Sequence, residues 1–125
     1  MPTTFYKAYD EDVASIAAGS THSTPSNSMD VDDVETVAIQ VYAEGENAGI
    51  SGNIIASIAA SIDGVNFDSQ VFAVVTLTKS GMSQERVTGL VNVRGVKAIR
   101  VMSIENTDSA YAATNVNVLI GKTVI

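Results

Sequence analysis

Between Glu35 and Ala43 an apolar residue stands at every second position. Val37, Ile39, Val41 and Ala43 fall on one side, and Thr36, Ala38, Gln40 and Tyr42 on the other. Side chains of a β-strand alternate between the two faces of a sheet, so this pattern predicts a strand with one face in the core. The rest of the chain follows suit. Turn residues interrupt apolar stretches every eight to twelve positions, and the apolar set is rich in Val, Ile and Ala, with only Leu77, Leu90 and Leu119 as leucines. β-branched side chains suit a pleated surface and lose rotamer freedom in a helix.

Eight strands are expected, over 13–18, 28–31, 35–43, 52–62, 67–78, 86–93, 96–105 and 113–120. The clearest loop is Gly19–Ser28, where Gly, Pro, Asn and a run of hydroxyls disfavour regular structure. Asp63-Gly64 reads as a two-residue hairpin turn, because both central positions of such a turn need positive φ. Asp10-Glu11-Asp12 reads as a polar break after the aromatic start. The window Tyr9–Ala18 is the one place where a helical turn competes with a strand. The fold class that follows is an all-β antiparallel β-sandwich, jelly-roll-like, of about eight strands. Residues 1–12 form an N-terminal arm or edge strand, and 13–125 a single sandwich domain.

The chain echoes itself at an offset of 62 residues. Phe5 meets Phe67, Val13 meets Val75, Gly19 meets Gly81, Asn53 meets Asn115 and Ile58 meets Ile120. Val31-Asp-Asp-Val34 meets Val93-Arg-Gly-Val96. Two readings stay open: two similar four-stranded halves related by duplication, or the self-match that any sandwich of short strands gives at some offset.

The 125 residues suffice for one core. There is no Cys, so disulfides, thiolate nucleophiles and cysteine-based zinc sites are excluded. The longest apolar run, Ile54–Ile62, is too short for a membrane-spanning helix and contains Ser57 and Ser61. The start Met1-Pro2-Thr3-Thr4-Phe5 lacks a signal-peptide pattern, so a leaderless protein is expected. A net charge of −7 argues against nucleic acid as a partner. The charge is uneven: residues 1–70 hold eleven acids and one base, whereas 71–125 hold three acids and six bases. That asymmetry reads either as two differently charged solvated surfaces or as complementary faces between identical subunits.

No constellation of catalytic residues survives scrutiny. His22 is the only histidine and stands in the polar loop near Ser20, Ser23 and Asp30, the wrong setting for a catalytic triad. Gly121-Lys122-Thr123 resembles the end of a phosphate-binding loop, but Val116 occupies the place of its first glycine and no helix follows. Asp63, Asn66 and Asp68 have the spacing of calcium-loop oxygens, but the twelfth position of such a loop is Val74. Asp30, Asp32 and Asp33 form a second acidic cluster, but on a strand 30 and 32 point one way while 33 turns off. No catalytic residue, cofactor or metal is therefore expected. The residues singled out for binding are Phe5, Tyr6 and Tyr9, as aromatic anchors for a partner.

The segments Thr3-Thr4-Phe5-Tyr6-Lys7, Ser15–Ser20, Ser28-Met29-Asp30-Val31, Glu35–Val41, Ser61–Phe67 and Val96–Val101 together resemble small β-sandwich virion proteins of tailed bacteriophages, most of all capsid decoration (cement) proteins. The resemblance implies a non-enzymatic virion protein on the capsid surface, assembled in the host cytoplasm. It also implies contact with the major capsid protein and with copies of itself, as a homotrimer, and no membrane. Similar sandwiches also occur in tail and fibre proteins, so a place there is an alternative. A carbohydrate-binding β-sandwich module is the alternative, weakened by the absence of Trp, whose exposed ring is a common sugar platform.

Overall fold

The computed structural model describes the backbone of residues 4–23 and 28–124, and the side chains of 12–23 and 28–122. Nine strands are present: β1 (Thr4–Ile16), β2 (Thr21–Ser23), β3 (Met29–Asp30), β4 (Thr36–Gly45), β5 (Asn53–Ser61), β6 (Ala73–Thr78), β7 (Glu85–Asn92), β8 (Ala98–Asn106) and β9 (Ala113–Val124). They form two antiparallel sheets, ordered β1-β9-β4-β7 and β2-β8-β5-β6, with β3 also on β8. Among the described residues there is no helix, and so none long and apolar enough to cross a membrane.

β2 and β3 pair with successive stretches of β8, Thr21–Ser23 with Ser103–Glu105 and Met29–Asp30 with Ala98–Ile99. They behave as one interrupted strand, which gives eight rows in the wrapped, jelly-roll-like order. Shifting by 62 residues carries β4 onto β8, β5 onto β9, β1 onto β6 and β2/β3 onto β7. The order β1-β9-β4-β7 then becomes β6-β5-β8-β2/β3, which is the second sheet read from its other end. The sequence echo thus exchanges the two sheets, and the halves of the chain are topologically equivalent.

The core lies between the sheets and is almost wholly aliphatic. Val37, Ile39, Val41 and Ala43 of β4 are buried, as their alternation predicts, and meet Ile54, Ala56 and Ile58 of β5 and Val116, Val118 and Ile120 of β9. Burying one such side chain is worth about 1.5–3 kcal/mol, so these rows hold the sheets face to face. β8 needs an irregularity to contribute. A register shift opposite Ser57/Ile58 leaves Met102 as an extra residue, so that Val101 and Ile104 both face inward. Without that bulge, strict alternation would bury Ser103 and Glu105 instead.

Three sequence expectations need correction. β1 does not break at Asp10-Glu11-Asp12. Its backbone pairs with β9 from Thr4 to Ile16, with one irregularity between Lys7 and Tyr9. An edge strand can carry charges because it need not bury them. The window Tyr9–Ala18 is strand through Ile16, in line with the strand expected over 13–18. The Gly19–Ser28 loop contains β2, whose hydroxyl-rich residues pair with β8. Finally, Asp63-Gly64 is not a two-residue turn, and residues 67–72 are not strand: the antiparallel neighbours β5 and β6 are joined by a longer connection, β5 ending at Ser61 and β6 beginning at Ala73.

Candidate functional site

The reason for the last correction is the Asp63 carboxylate. It accepts hydrogen bonds from the backbone N–H groups of Val65 and Asn66 (both 2.8 Å), from Ser61 Oγ (2.9 Å) and from Asn66 Nδ2 (2.9 Å). Gly64 takes φ +81° and donates its N–H to Ser61 Oγ. These donors, the Asn66 N–H foremost, hold the Asp63 carboxyl well below the usual carboxylate range. The acid thus folds its own loop. A calcium ion would find these oxygens already occupied by hydrogen-bond donors, and Asn66 presents a donor rather than its oxygen.

A second loop-holding acid is Asp108, in the connection between β8 and β9. Its Oδ2 accepts from the N–H groups of Ser51 (2.8 Å) and Gly52 (3.2 Å), and its Oδ1 from those of Ala110 and Tyr111 (both 2.8 Å). These bonds, led by Ser51, lower its pKa to about 2. Beside it the fully buried Asn106 donates Nδ2 to the carbonyls of Ile16 (3.1 Å) and Tyr111 (3.0 Å), while its Oδ1 accepts the Asp108 N–H (3.0 Å). Together they tie the β4–β5 and β8–β9 connections and the end of β1 into one knot.

Lys79 is the third. Its side chain is fully buried, and Nζ donates to Glu85 Oε1 (2.6 Å) and to the carbonyls of Gly81 (2.9 Å) and Ser83 (2.7 Å). Glu85 also accepts the Ser80 N–H (2.9 Å). The Lys79 ammonium, then that N–H, hold the Glu85 carboxyl below its ordinary range. All three Lys79 bonds are spent on the β6–β7 turn.

The acidic cluster Asp30-Asp32-Asp33 meets bases from the other half of the chain. Lys97 Nζ reaches Asp32 at 3.2 Å, Arg94 reaches Glu35 at 2.7 Å, and Lys122 reaches Asp33 at 2.9 Å and the Asp30 carbonyl at 2.9 Å. The charge asymmetry of the sequence is thus partly consumed within the molecule. Lys122 sits on a strand, not at the head of a helix, and its ammonium serves this cluster rather than a phosphate. His22 is half-buried on β2, opposite Ile104. Among the described residues no group of three or more His, Cys, Asp or Glu is placed to hold a metal ion.

The side chains of Phe5, Tyr6 and Tyr9 lie outside the described residues. Their backbones pair with Thr123, Lys122 and Ile120 of β9.

On the β1-β9-β4 sheet a shallow depression of about 490 Å³ is lined by Asp12, Tyr42, Asn115 and Asn117, with Val13, Ala14 and Val116. It coincides with a β-bulge between Tyr42 and Glu44 and with Asn115, the one non-glycine residue described with positive φ (48°). Asn117 Nδ2 donates to Asp12 (2.7 Å), and the Tyr42 hydroxyl donates to Glu44 (2.6 Å), which raises the tyrosine pKa. Arg86 lies 5.0 Å from the Tyr42 ring centre. Sequence spacing could not reveal this site, since its residues come from three strands that meet only through the sheet order.

No family model matches the sequence, and no curated protein matches it. Solved structures resemble the fold. A chain of the infectious bursal disease virus VP2 subviral particle superposes with a TM-score of 0.53 at 12% identity, over 98% of this chain and 32% of that one. A viral particle of the same virus gives 0.50 at 9% identity, over 98% and 31%. A carbohydrate binding module from a Cellvibrio mixtus lichenase, in complex with cellotriose, gives 0.47 at 13% identity, over 95% and 89%. The chain spans about a third of the length of the viral proteins it resembles. At these identities the likeness to the two viral structures shows a shared fold alone.

Proposed function

We propose that the chain is a structural component of a virus-type particle, a non-enzymatic sandwich that decorates a capsid lattice and works through its surface. The observation that carries this reading is the use made of the displaced acids. Asp63, Asp108 and Glu85 are each bound by N–H or ammonium donors of the chain's own turns. Their charge stiffens loops, and perturbed groups of this kind otherwise mark chemistry. The viral β-sandwich likeness supports the same direction. The partners under this reading are a coat-protein lattice and further copies of the chain, at the outside of the particle.

The test is fractionation. Particles released by cells that carry the gene are banded on a density gradient, and the chain is sought by mass spectrometry in the particle band. Its confinement to the soluble fraction would sink the reading.

The Tyr42 depression favours a second reading, a carbohydrate-binding module. An aromatic ring flanked by amides and a carboxylate suits a polyhydroxylated ring that is both stacked and hydrogen-bonded. Retention on a glycan array, abolished by Tyr42→Ala, would promote it over the first.

A further inference from the structure

Asn115 stands where the chain otherwise uses glycine. Its φ is +48°, and the other described residues with positive φ are Gly19, Gly64, Gly81 and Gly95. It is also the extra residue of the β9–β4 ladder. Tyr42 faces Asn117 and Glu44 faces Thr114, so Asn115 and Val116 of β9 lie opposite the single Ala43. The bulge lets Ala113 and Val116 both turn to the core. Glycine would do that backbone work with less strain.

The internal repeat does not demand this geometry. Asn53 is the counterpart of Asn115 at the offset of 62. In its half the extra residue is Met102 of β8 instead, and Asn53 is not among the residues with positive φ. The strained backbone is thus local to the depression that Asn115 lines with Asp12, Tyr42 and Asn117. Strain of this kind gathers at ligand sites. The side chain that it presents is exposed, and its one hydrogen bond among the described residues is long, Nδ2 to Glu44 Oε1 at 3.3 Å.

The surrounding groups select the ligand. Two carboxylates stand here: Asp12 accepts from Asn117 Nδ2 at 2.7 Å, and Glu44 accepts the Tyr42 hydroxyl at 2.6 Å. No Lys, Arg or His is among the described residues that line the depression. Arg86 lies on the β7 side of the Tyr42 ring, 5.0 Å from its centre. An anionic ligand would meet like charge with no counter-charge beside it. A cation would suit the carboxylates but has nothing to accept the Asn115 N–H. A hydroxyl both donates and accepts, and so matches carboxylate and amide together.

We infer that Asn115 is a ligand contact set in place by the β9 bulge, and that the depression takes a neutral sugar residue and rejects an acidic one. The inference rests on the carbohydrate-binding reading of this depression and narrows it. The sugar ring lies against Tyr42, and its hydroxyls donate to the carboxylates and accept from the Asn115 amide.

The full chain is screened against immobilised neutral hexose oligosaccharides and oligouronates, and the best-retained neutral oligosaccharide is titrated by calorimetry. Retention is expected on the neutral set and not on the uronates. Asn115→Gly is expected to leave Tm within about 5 °C of the parent, because glycine takes the same φ. It is expected to weaken binding by about tenfold. An asparagine that serves the backbone alone would give the same Tm with unchanged binding, and that result overturns the inference. So does retention of uronates equal to that of the neutral sugars. Either result leaves the carbohydrate-binding reading standing, provided that Tyr42→Ala abolishes retention. Retention of no glycan ends that reading and this inference together.

Discussion

Val31 and Val93 occupy the same place in the two halves of the sandwich. The Val31 N–H donates to the Lys97 carbonyl at 2.8 Å, and the Val93 N–H donates to the Glu35 carbonyl at 2.8 Å. A shift of 62 residues turns either bond into the other. The turns behind them match as well, Val34 N–H to the Val31 carbonyl (3.2 Å) and Val96 N–H to the Val93 carbonyl (3.0 Å). Even the ion pairs exchange, with signs reversed: Asp32 with Lys97 becomes Arg94 with Glu35. The sequence echo is therefore a structural equivalence reaching down to single hydrogen bonds.

Those ion pairs are solvated, with both partners of the Arg94–Glu35 pair 71% exposed. Pairs of this kind contribute little once side-chain entropy and screening are counted. Arg94→Ala is expected to change the unfolding free energy by less than about 0.5 kcal/mol in urea titrations. The main-chain bonds, not the charges, carry the equivalence.

The Lys79–Glu85 pair should behave in the opposite way, because the ammonium is fully buried. Glu85→Ala leaves that charge without its counter-ion, and a loss of about 3 kcal/mol is expected by chemical denaturation. Lys79→Met combined with Glu85→Leu removes charge and partner together and should recover most of it. A double variant as unstable as Glu85→Ala would show that the carbonyl bonds to Gly81 and Ser83, rather than the charge, decide the turn.

Asp108 links stability to pH. Its folded pKa, about 2, lies below the ordinary 3.8. The carboxylate is thus favoured by folding, its contribution is complete above about pH 4, and it fades as the pH falls towards 2. Asp108→Ala, which strands four N–H donors, is expected to lower Tm by roughly 5 °C or more at pH 7. It should also flatten the fall of Tm between pH 5 and 2 relative to the parent, followed by circular dichroism.

Gly52 packs against the same knot. A Cβ there would stand 2.7 Å from the Asp108 Cα, with the Asp108 backbone nitrogen closer still. Backbone cannot yield as a side-chain end can, so Gly52→Ala is expected to cost about 2–4 kcal/mol. Gly19 has open space around it and only a positive φ to protect, so Gly19→Ala should cost about 1 kcal/mol. Equal losses at the two positions would contradict the packing account.

The strands of the core were legible because burial imposes period two on them. Expected 35–43 and found Thr36–Gly45, or expected 86–93 and found Glu85–Asn92, the two readings agree to within a residue or two. Legibility failed where pairing rather than burial makes the strand. β2 has no apolar signal of its own, and β1 runs on through acids that an edge strand tolerates. It failed again where one side chain redirects the chain, as Asp63 does by turning a hairpin signal into an eleven-residue connection. The Tyr42 depression was invisible because its strands are neighbours only through the wrapped sheet order. The same holds for the Asp108 knot, whose donors at 51 and 52 lie more than fifty residues away.

The central claim is that this sandwich works as a particle component. Its most direct measurement is the copy number of the chain in gradient-purified particles, by quantitative mass spectrometry against the major coat protein. The account predicts a fixed, near-stoichiometric ratio across independent preparations that survives a high-salt wash. A trace amount that varies between preparations, with the bulk of the chain remaining at the top of the gradient, would contradict it.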